Sequence, residues 1–366
     1  MSGSDFEAAR LTVRLGAVNA NFRACRHMCG PAAVAGVVKA EAYGMGMIPV
    51  ARSLAAIGCD TFFVARLEEG VKLRPEVPEA RIFVLDGAQP DAVPALVGHR
   101  LTPVLNSLAE VAAWSAAART LRTDLDAAVH IDTGMNRLGL PGAELAVLAA
   151  ESKTRLAGLR VVLWMSHLAC AEDPQARMNR IQLDRFHTAL AMLPAAPASF
   201  ASSAGIMLGK DYAFDMVRPG VGLYGGNPQP SRPNPFATVA VLTGRILQMR
   251  HIEPGESAGY GATFRPTRPS VLATCGLGYT DGLMRALAGR GFGAIDGKRV
   301  PVAGRVSMDL ITLDVTDAPS AKVGGDVEFI GDHIALEEIA AASGTASYEI
   351  LTSLARRVPR HYEGAP

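Results

Sequence analysis

The stretch TPVLNSLAEVAAWSAAARTLRTDLDAAVHI, residues 102–131, decides the fold. A short apolar run (Thr102–Leu105) is followed by a segment whose apolar residues recur at helical spacing (Ser107 to Arg119), and then by a second apolar run (Asp126–Ile131). Strand, helix, strand is the repeating unit of a parallel sheet. Working outward, similar runs occur at Val34–Val38, Thr61–Ala65, Arg81–Leu85, Leu159–Trp164, Ser199–Ser202 and Met216–Val217, which brings the candidate strands to eight. Helix-like stretches such as Gln175 to Leu193 separate them. Eight strand-helix units predict an α/β architecture, a closed (β/α)8 TIM-like barrel.

The texture changes after Tyr224, where GGNPQPSRPNPF packs four prolines and two glycines into residues 225–236. Neither a helix nor a central strand accepts that composition, so a domain boundary is expected there. Beyond it, strand-like runs at Val239–Leu247, Val271–Cys275, Lys298–Val302, Asp309–Val315 and Asp326–Ile330 follow one another with little helix, and helical stretches at Ala335–Ser343 and Ser347–Arg356 close the chain. The expected organisation is a barrel over residues 11–228 and a mostly β domain over 236–366, with residues 1–10 packed on the latter.

Composition excludes several classes. The chain of 366 residues is 49% hydrophobic, enough for two domains, and its 36 Lys and Arg balance 35 Asp and Glu. With no basic block, nucleic acid is not an expected partner. No run reaches the roughly 18 apolar residues of a membrane span, and Met1–Arg14 has no apolar signal core, so the expected location is the cytoplasm. The five cysteines include one close pair, Cys25 and Cys29, without the second pair a zinc site wants. They read as structural thiols, with no metal expected.

In a β/α barrel the chemistry sits at the C-terminal strand ends. Val37-Val38-Lys39-Ala40-Glu41-Ala42-Tyr43-Gly44 drives a lysine out of a buried run; burial favours the neutral amine that condenses with an aldehyde. A lysine snorkelling from a strand end is the bland alternative. Asp132 to Gly139 places Arg137 on a glycine-bounded loop, where a guanidinium can hold a carboxylate or a phenolate oxygen. His167 follows the sixth strand; taken alone it could equally be a core histidine. Ser202-Ser203-Ala204-Gly205 and Arg218-Pro219-Gly220-Val221-Gly222 end strands seven and eight, the loops that recurrently build barrel phosphate sites.

Five motifs together, VVKAEAYGMG, DTGMNRLG, RPGVGLYG, AGYGATF and GRVSMD, make the sequence from Leu11 to Tyr362 resemble the alanine racemases of the barrel-fold pyridoxal-phosphate class. The resemblance implies that pyridoxal 5'-phosphate is held covalently by Lys39. Tyr43, Ser203, Gly220 and Val221 would bind its phosphate, Arg218 would face the pyridine nitrogen, and His167 would neighbour the ring. Arg137 would reach the phenolate oxygen and the substrate carboxylate. Tyr260 would be the base opposing Lys39, and the Met308 N–H a carboxylate donor, both supplied by the partner subunit of a homodimer. Glu172, Arg285, Arg305 and Asp309 would line the entrance or orient the bases.

The sequence also departs from the family pattern. His130 stands where many relatives carry a carbamylated lysine supporting the arginine, and a histidine forms no such stable carbamate. Arg356 stands where some relatives have a tyrosine on the phosphate, leaving open whether it takes the phosphate or points outward. Ser202 replaces a common asparagine and Met45 a common histidine. Two bases on opposite faces of Cα suit racemisation. The alternatives are a racemase of broader specificity and a decarboxylase of the same fold. The latter pattern wants a carboxylate at the ring nitrogen and a reactive cysteine in the second domain, where Cys275 reads as core. A non-catalytic cofactor carrier would have no use for Tyr260.

Overall fold

The computed structural model describes residues 6–364; residues 1–5, part of the segment expected to pack on the second domain, lie outside them. The stretch over residues 102–131 forms strand Thr102–Leu105, helix Leu108–Leu121 and strand Leu125–His130. Ser107 caps the helix, its hydroxyl accepting the Glu110 N–H at 3.2 Å. Val111, Trp114 and Ala118 form the buried face, and the Trp114 indole donates to Asp126 O at 3.0 Å, pinning helix to strand. Removing that indole would leave a cavity costing about 3–5 kcal/mol.

The barrel sheet runs in the order Ala33–Val34, Met216–Arg218, Ala198–Ser202, Leu159–Met165, Leu125–His130, Thr102–Leu105, Arg81–Val84, Thr61–Val64, Gly36–Val37, all parallel. Nine strands appear where eight are expected because the first is divided at Ala35. Its leading half pairs with Met216–Arg218 and its trailing half with Thr61–Val64, so the two ends of the sheet are one segment and the ring closes there. The Ala35 N–H donates to Val217 O at 2.9 Å, while the Val38 N–H turns to Phe63 O at 2.9 Å. Phe62, Phe63, Phe83 and Trp164 are fully buried, with Phe63 stacked on Phe83 at 4.6 Å.

The second sheet is organised by one long strand, Ala240–Ile252, which pairs antiparallel with Ala9–Arg14, Ser270–Cys275 and Asp326–Ile330. The boundary expected at residue 11 therefore falls inside a strand of this sheet. Leu11 and Val13 alternate with more exposed Arg10 and Thr12, which suits a half-buried antiparallel strand rather than a barrel strand. Arg360–Glu363 pairs parallel with the same strand. Neither that strand nor Phe292–Ile295 is among the expected runs. Helix Ser347–Ser353 stops short of the expected Arg356. Among the described residues, no helix is long and apolar enough to cross a membrane.

Candidate active site

A cavity of about 670 Å³ opens at the C-terminal ends of the barrel strands, and Lys39, Tyr43, Arg137, His167, Ser203, Arg218, Gly220 and Val221 all line it. His130, Asp86 and Phe63 complete much of the barrel side. The opposite wall comes from the second domain of the same chain: Tyr348, Glu349 and Thr352 on helix Ser347–Ser353. Nothing in the sequence signals these three: they do not follow a barrel strand, and no motif marks that helix.

Lys39 leaves the first strand into a turn with left-handed backbone at four consecutive non-glycine residues: Ala40 (φ 53°), Glu41 (52°), Ala42 (53°) and Tyr43 (54°). Such conformations cost roughly 1–2 kcal/mol per residue, so outside contacts must hold them. Gly44 follows with φ 83°, its Cα so close to the chain that a Cβ would lie 2.4 Å from Leu351 O. The Arg360 Nε–H donates to Gly44 O at 2.9 Å. Burial, then the charge of Arg137, lowers the Lys39 pKa, with Glu69 and Asp86 opposing and Arg218 adding to the fall. A neutral amine is thereby favoured.

Arg218 ends the eighth strand and is only 4% exposed. Its guanidinium donates to the Ser199 hydroxyl and to Ser166 O (2.7 Å), and lies 3.4 Å from His167 Nδ1. Burial lowers its pKa to about 10, which leaves it charged near neutrality. Burial, followed by Arg218 and Arg137, pushes His167 down to about 3. The ring is neutral, and because Arg218 can only donate, Nδ1 holds the lone pair and Nε2 the proton.

At the other end of the cavity the buried Ser203 hydroxyl accepts the N–H groups of Gly220 (2.9 Å) and Gly222 (3.1 Å). That leaves its own proton free to donate. A Cβ on Gly220 would fall 2.2 Å from the Tyr43 hydroxyl, so only glycine lets this backbone and phenol approach. Tyr43 stacks on Tyr224 at 4.8 Å, and burial raises its pKa, keeping it a protonated donor. A hydroxyl, a phenol and a glycine-lined backbone fit a phosphate at one end; an amine of lowered pKa fits an aldehyde at the other. The residues present therefore fit pyridoxal 5'-phosphate.

Arg137 reaches the cavity from an exposed loop collared by Asp132, whose carboxylate accepts the N–H groups of Gly134 and Met135 (2.9 Å each) and Asn136 (3.1 Å). The loop's base is closed by the Leu140 N–H on His130 O at 2.8 Å. His130 is buried, with Nδ1 2.9 Å from Asn106 Oδ1. The Asn106 amide donates to Leu85 O and Val104 O, so its oxygen must accept, and the His130 proton sits on Nδ1. Burial and then Arg218 push this ring down to about 4, so it is neutral. Arg356, by contrast, does not line the cavity; its exposed side chain lies 3.9 Å from Glu41.

Tyr260 and Met308 are 71% and 54% exposed and do not line the cavity of their own chain. Tyr260 opens a short turn, Tyr260–Ala262, beside Arg305: a Cβ on Gly261 would lie 3.3 Å from the Arg305 guanidinium. Met308 O accepts the Thr280 N–H (3.1 Å) and hydroxyl (2.8 Å). Glu172, Arg285 and Asp309 are likewise exposed and outside the cavity, Asp309 held by Arg357 at 2.6 Å, which lowers its pKa. Cys275 is fully buried, its pKa pushed up to about 12 by burial, and offers no thiolate near neutrality. All five cysteines are free.

Two family models cover the chain: one described as alanine racemase, N-terminal domain, matches residues 13–228, and one described as alanine racemase, C-terminal domain, matches residues 239–362. An alanine racemase of Methylobacterium nodulans is 45% identical over 364 residues, 99% of this chain and 98% of that protein. One of Acidiphilium cryptum is 47% identical over 352 residues, 96% of this chain and 97% of that protein. A crystal structure of alanine racemase from Bartonella henselae with covalently bound pyridoxal phosphate superposes with a TM-score of 0.93 at 37% identity, covering 98% of this chain and 100% of that one.

Proposed function

The chain belongs to the alanine racemase family, dependent on pyridoxal phosphate, and from that premise we propose that Lys39 and Tyr260 are the two bases through which it interconverts L-alanine and D-alanine. When bound, the cofactor supplies an electron sink that acidifies the Cα–H bond of an attached amino acid. Lys39 would hold the cofactor, and its Nζ takes or returns the α-proton on one face. Tyr260 does the same on the other face. Arg137 holds the substrate carboxylate, joined by the Met308 N–H. Arg218 faces the ring nitrogen as a permanent donor, His167 flanks the ring, and Ser203, Tyr43, Gly220 and Val221 hold the phosphate.

The observation that carries this assignment is the gathering of Lys39, Arg137, Arg218, Ser203 and Gly220 around one cavity from four separate strand ends. Because Tyr260 and Met308 stand outside the cavity of their own chain, we propose a homodimer in which each barrel receives these two residues from the partner. The barrel domain then carries the cofactor and the second domain carries the opposing base. The five free thiols suit a reducing compartment, and we place the enzyme in the cytoplasm. The enantiomers have equal free energy, so the cell rather than the enzyme sets the direction of flux.

The test is covalent. Borohydride reduction of the yellow protein should fix the cofactor on Lys39, and Lys39→Ala should abolish racemisation measured by chiral chromatography. Recovery of the label on another lysine would refute the assignment.

A further inference from the structure

Glu69 stands third in helix Leu67–Leu73, and its carboxylate reaches in two directions. Oε2 accepts the N–H groups of Ala65 (2.8 Å) and Arg66 (3.1 Å), the ordinary reach-back of a glutamate near a helix start. Oε1 accepts the Ala40 N–H at 2.6 Å. Starting the helix requires only the first two bonds. The third ties the end of the second barrel strand to the first residue of the left-handed turn, at the peptide adjoining Lys39. The remaining clamps act further along: Arg360 on Gly44 O, and Lys72 on the Glu41 side chain. The Ala42 and Gly44 N–H groups find acceptors within the segment, Val38 O and Ala40 O, whereas the Ala40 N–H goes to Glu69, so this peptide is the place where an external acceptor matters most.

We propose that Glu69 is a positioning residue: through the Ala40 N–H its carboxylate fixes the peptide that follows Lys39, and with it the direction from which the lysine amine meets Cα. A charge-assisted bond of this length suits that task. The inference rests on the reading of Lys39 as a base. By its placement opposite Tyr260, Lys39 serves D-alanine, so a misdirected Lys39 should impair proton abstraction from D-alanine first.

Glutamine at position 69 offers one oxygen and an NH₂, and cannot accept on both sides. In the Glu69→Gln holoenzyme, kcat should fall roughly ten- to a hundredfold with KM changed by less than about threefold, the cost of a displacement near an ångström. The α-deuterium isotope effect should rise with D-alanine and should fall, not rise, with L-alanine, because reprotonation by Lys39 then limits that direction. The visible circular dichroism of the bound cofactor should change, reporting the altered lysine without turnover. Adding Ala40→Gly, which accepts the left-handed backbone without a Cβ clash, should restore at least about fivefold of the lost kcat.

Isotope effects and kcat within about twofold of the parent would overturn the proposal. So would a loss that Ala40→Gly leaves untouched, because the fault would then lie in the helix start. Should Glu69→Gln not fold, Glu69→Asp carries the same readouts, its shorter carboxylate keeping the helix N–H groups but falling short of Ala40. Borohydride labelling of the parent enzyme is read separately; a label away from Lys39 removes the premise rather than the role of Glu69.

Discussion

In the proposed reaction the barrel mouth and the outer face of the second domain take part under opposite conditions. At the mouth, Arg218 is 4% exposed and held by Ser199, Ser166 and His167 of its own chain. On the outer face, Tyr260 is 71% exposed and Met308 54%. The first half of the site is organised by folding, which sets donors in place before any ligand arrives. The second half displays Tyr260 and Met308 outward, and in the proposed homodimer it becomes a site only by association. Defects in the two halves should accordingly look different in the test tube.

The sharpest way to break the comparison is Tyr260→Phe, which removes a base without touching the barrel. Racemisation should fall about 10²–10⁴-fold, the usual contribution of a general base. Proton NMR in deuterium oxide should still show α-proton exchange from D-alanine, where Lys39 acts, while exchange from L-alanine collapses. Equal exchange from both enantiomers would mean that Tyr260 merely packs the site.

Association itself can be tested by mixing inactive Lys39→Ala and Tyr260→Phe dimers under conditions that let subunits exchange. Half of the dimers become hybrids with one intact site of two, so about a quarter of the parental activity should return. Hybrids verified by mass spectrometry yet wholly inactive would show that each chain builds its site alone.

A smaller effect sharpens the account of the barrel half. His130 titrates near 4 in the folded chain against an ordinary value near 6.5, so on acidification the unfolded chain takes up a proton that the native ring refuses. Stability is full above pH 6.5 and declines between about 6.5 and 4, by roughly 3 kcal/mol at the lower limit. Urea titrations of His130→Gln should show a flatter pH dependence across that window. Parallel curves for the two proteins would mean that the ring is not held neutral.

Much of the barrel was legible because its strands are buried on both faces and read as continuous apolar runs; Thr102–Leu105 coincides with the observed strand to the residue. The strands that escaped are short or polar. Ala9–Arg14 carries two arginines, and Arg360–Glu363 has no buried residue, each being recruited by the long strand Ala240–Ile252 or by its neighbour. The left-handed turn was illegible for a different reason: KAEAY is built of good right-handed helix formers, and contacts from Glu69, Lys72 and Arg360, distant in sequence, override that preference. The cavity residues at strand ends were accessible to a motif search. Tyr348 and Thr352 were not, because their place in the site depends on how the second domain folds back over the mouth.

The divided first strand carries a consequence for the order of assembly. Val34 meets Val217 across roughly 180 residues of chain, a closure whose entropy cost precedes its reward. Lys39 emerges from the other half of that segment, while Arg218 and Gly220 belong to the strand that shuts the ring and the loop leaving it. Until the last barrel strand docks, the lysine faces neither the guanidinium nor the glycine cradle, and a nascent chain has no pocket in which to retain its cofactor. Capture of the cofactor thus becomes a late event in the life of the polypeptide, and the yellow of the finished enzyme doubles as a visible record that the ring has shut.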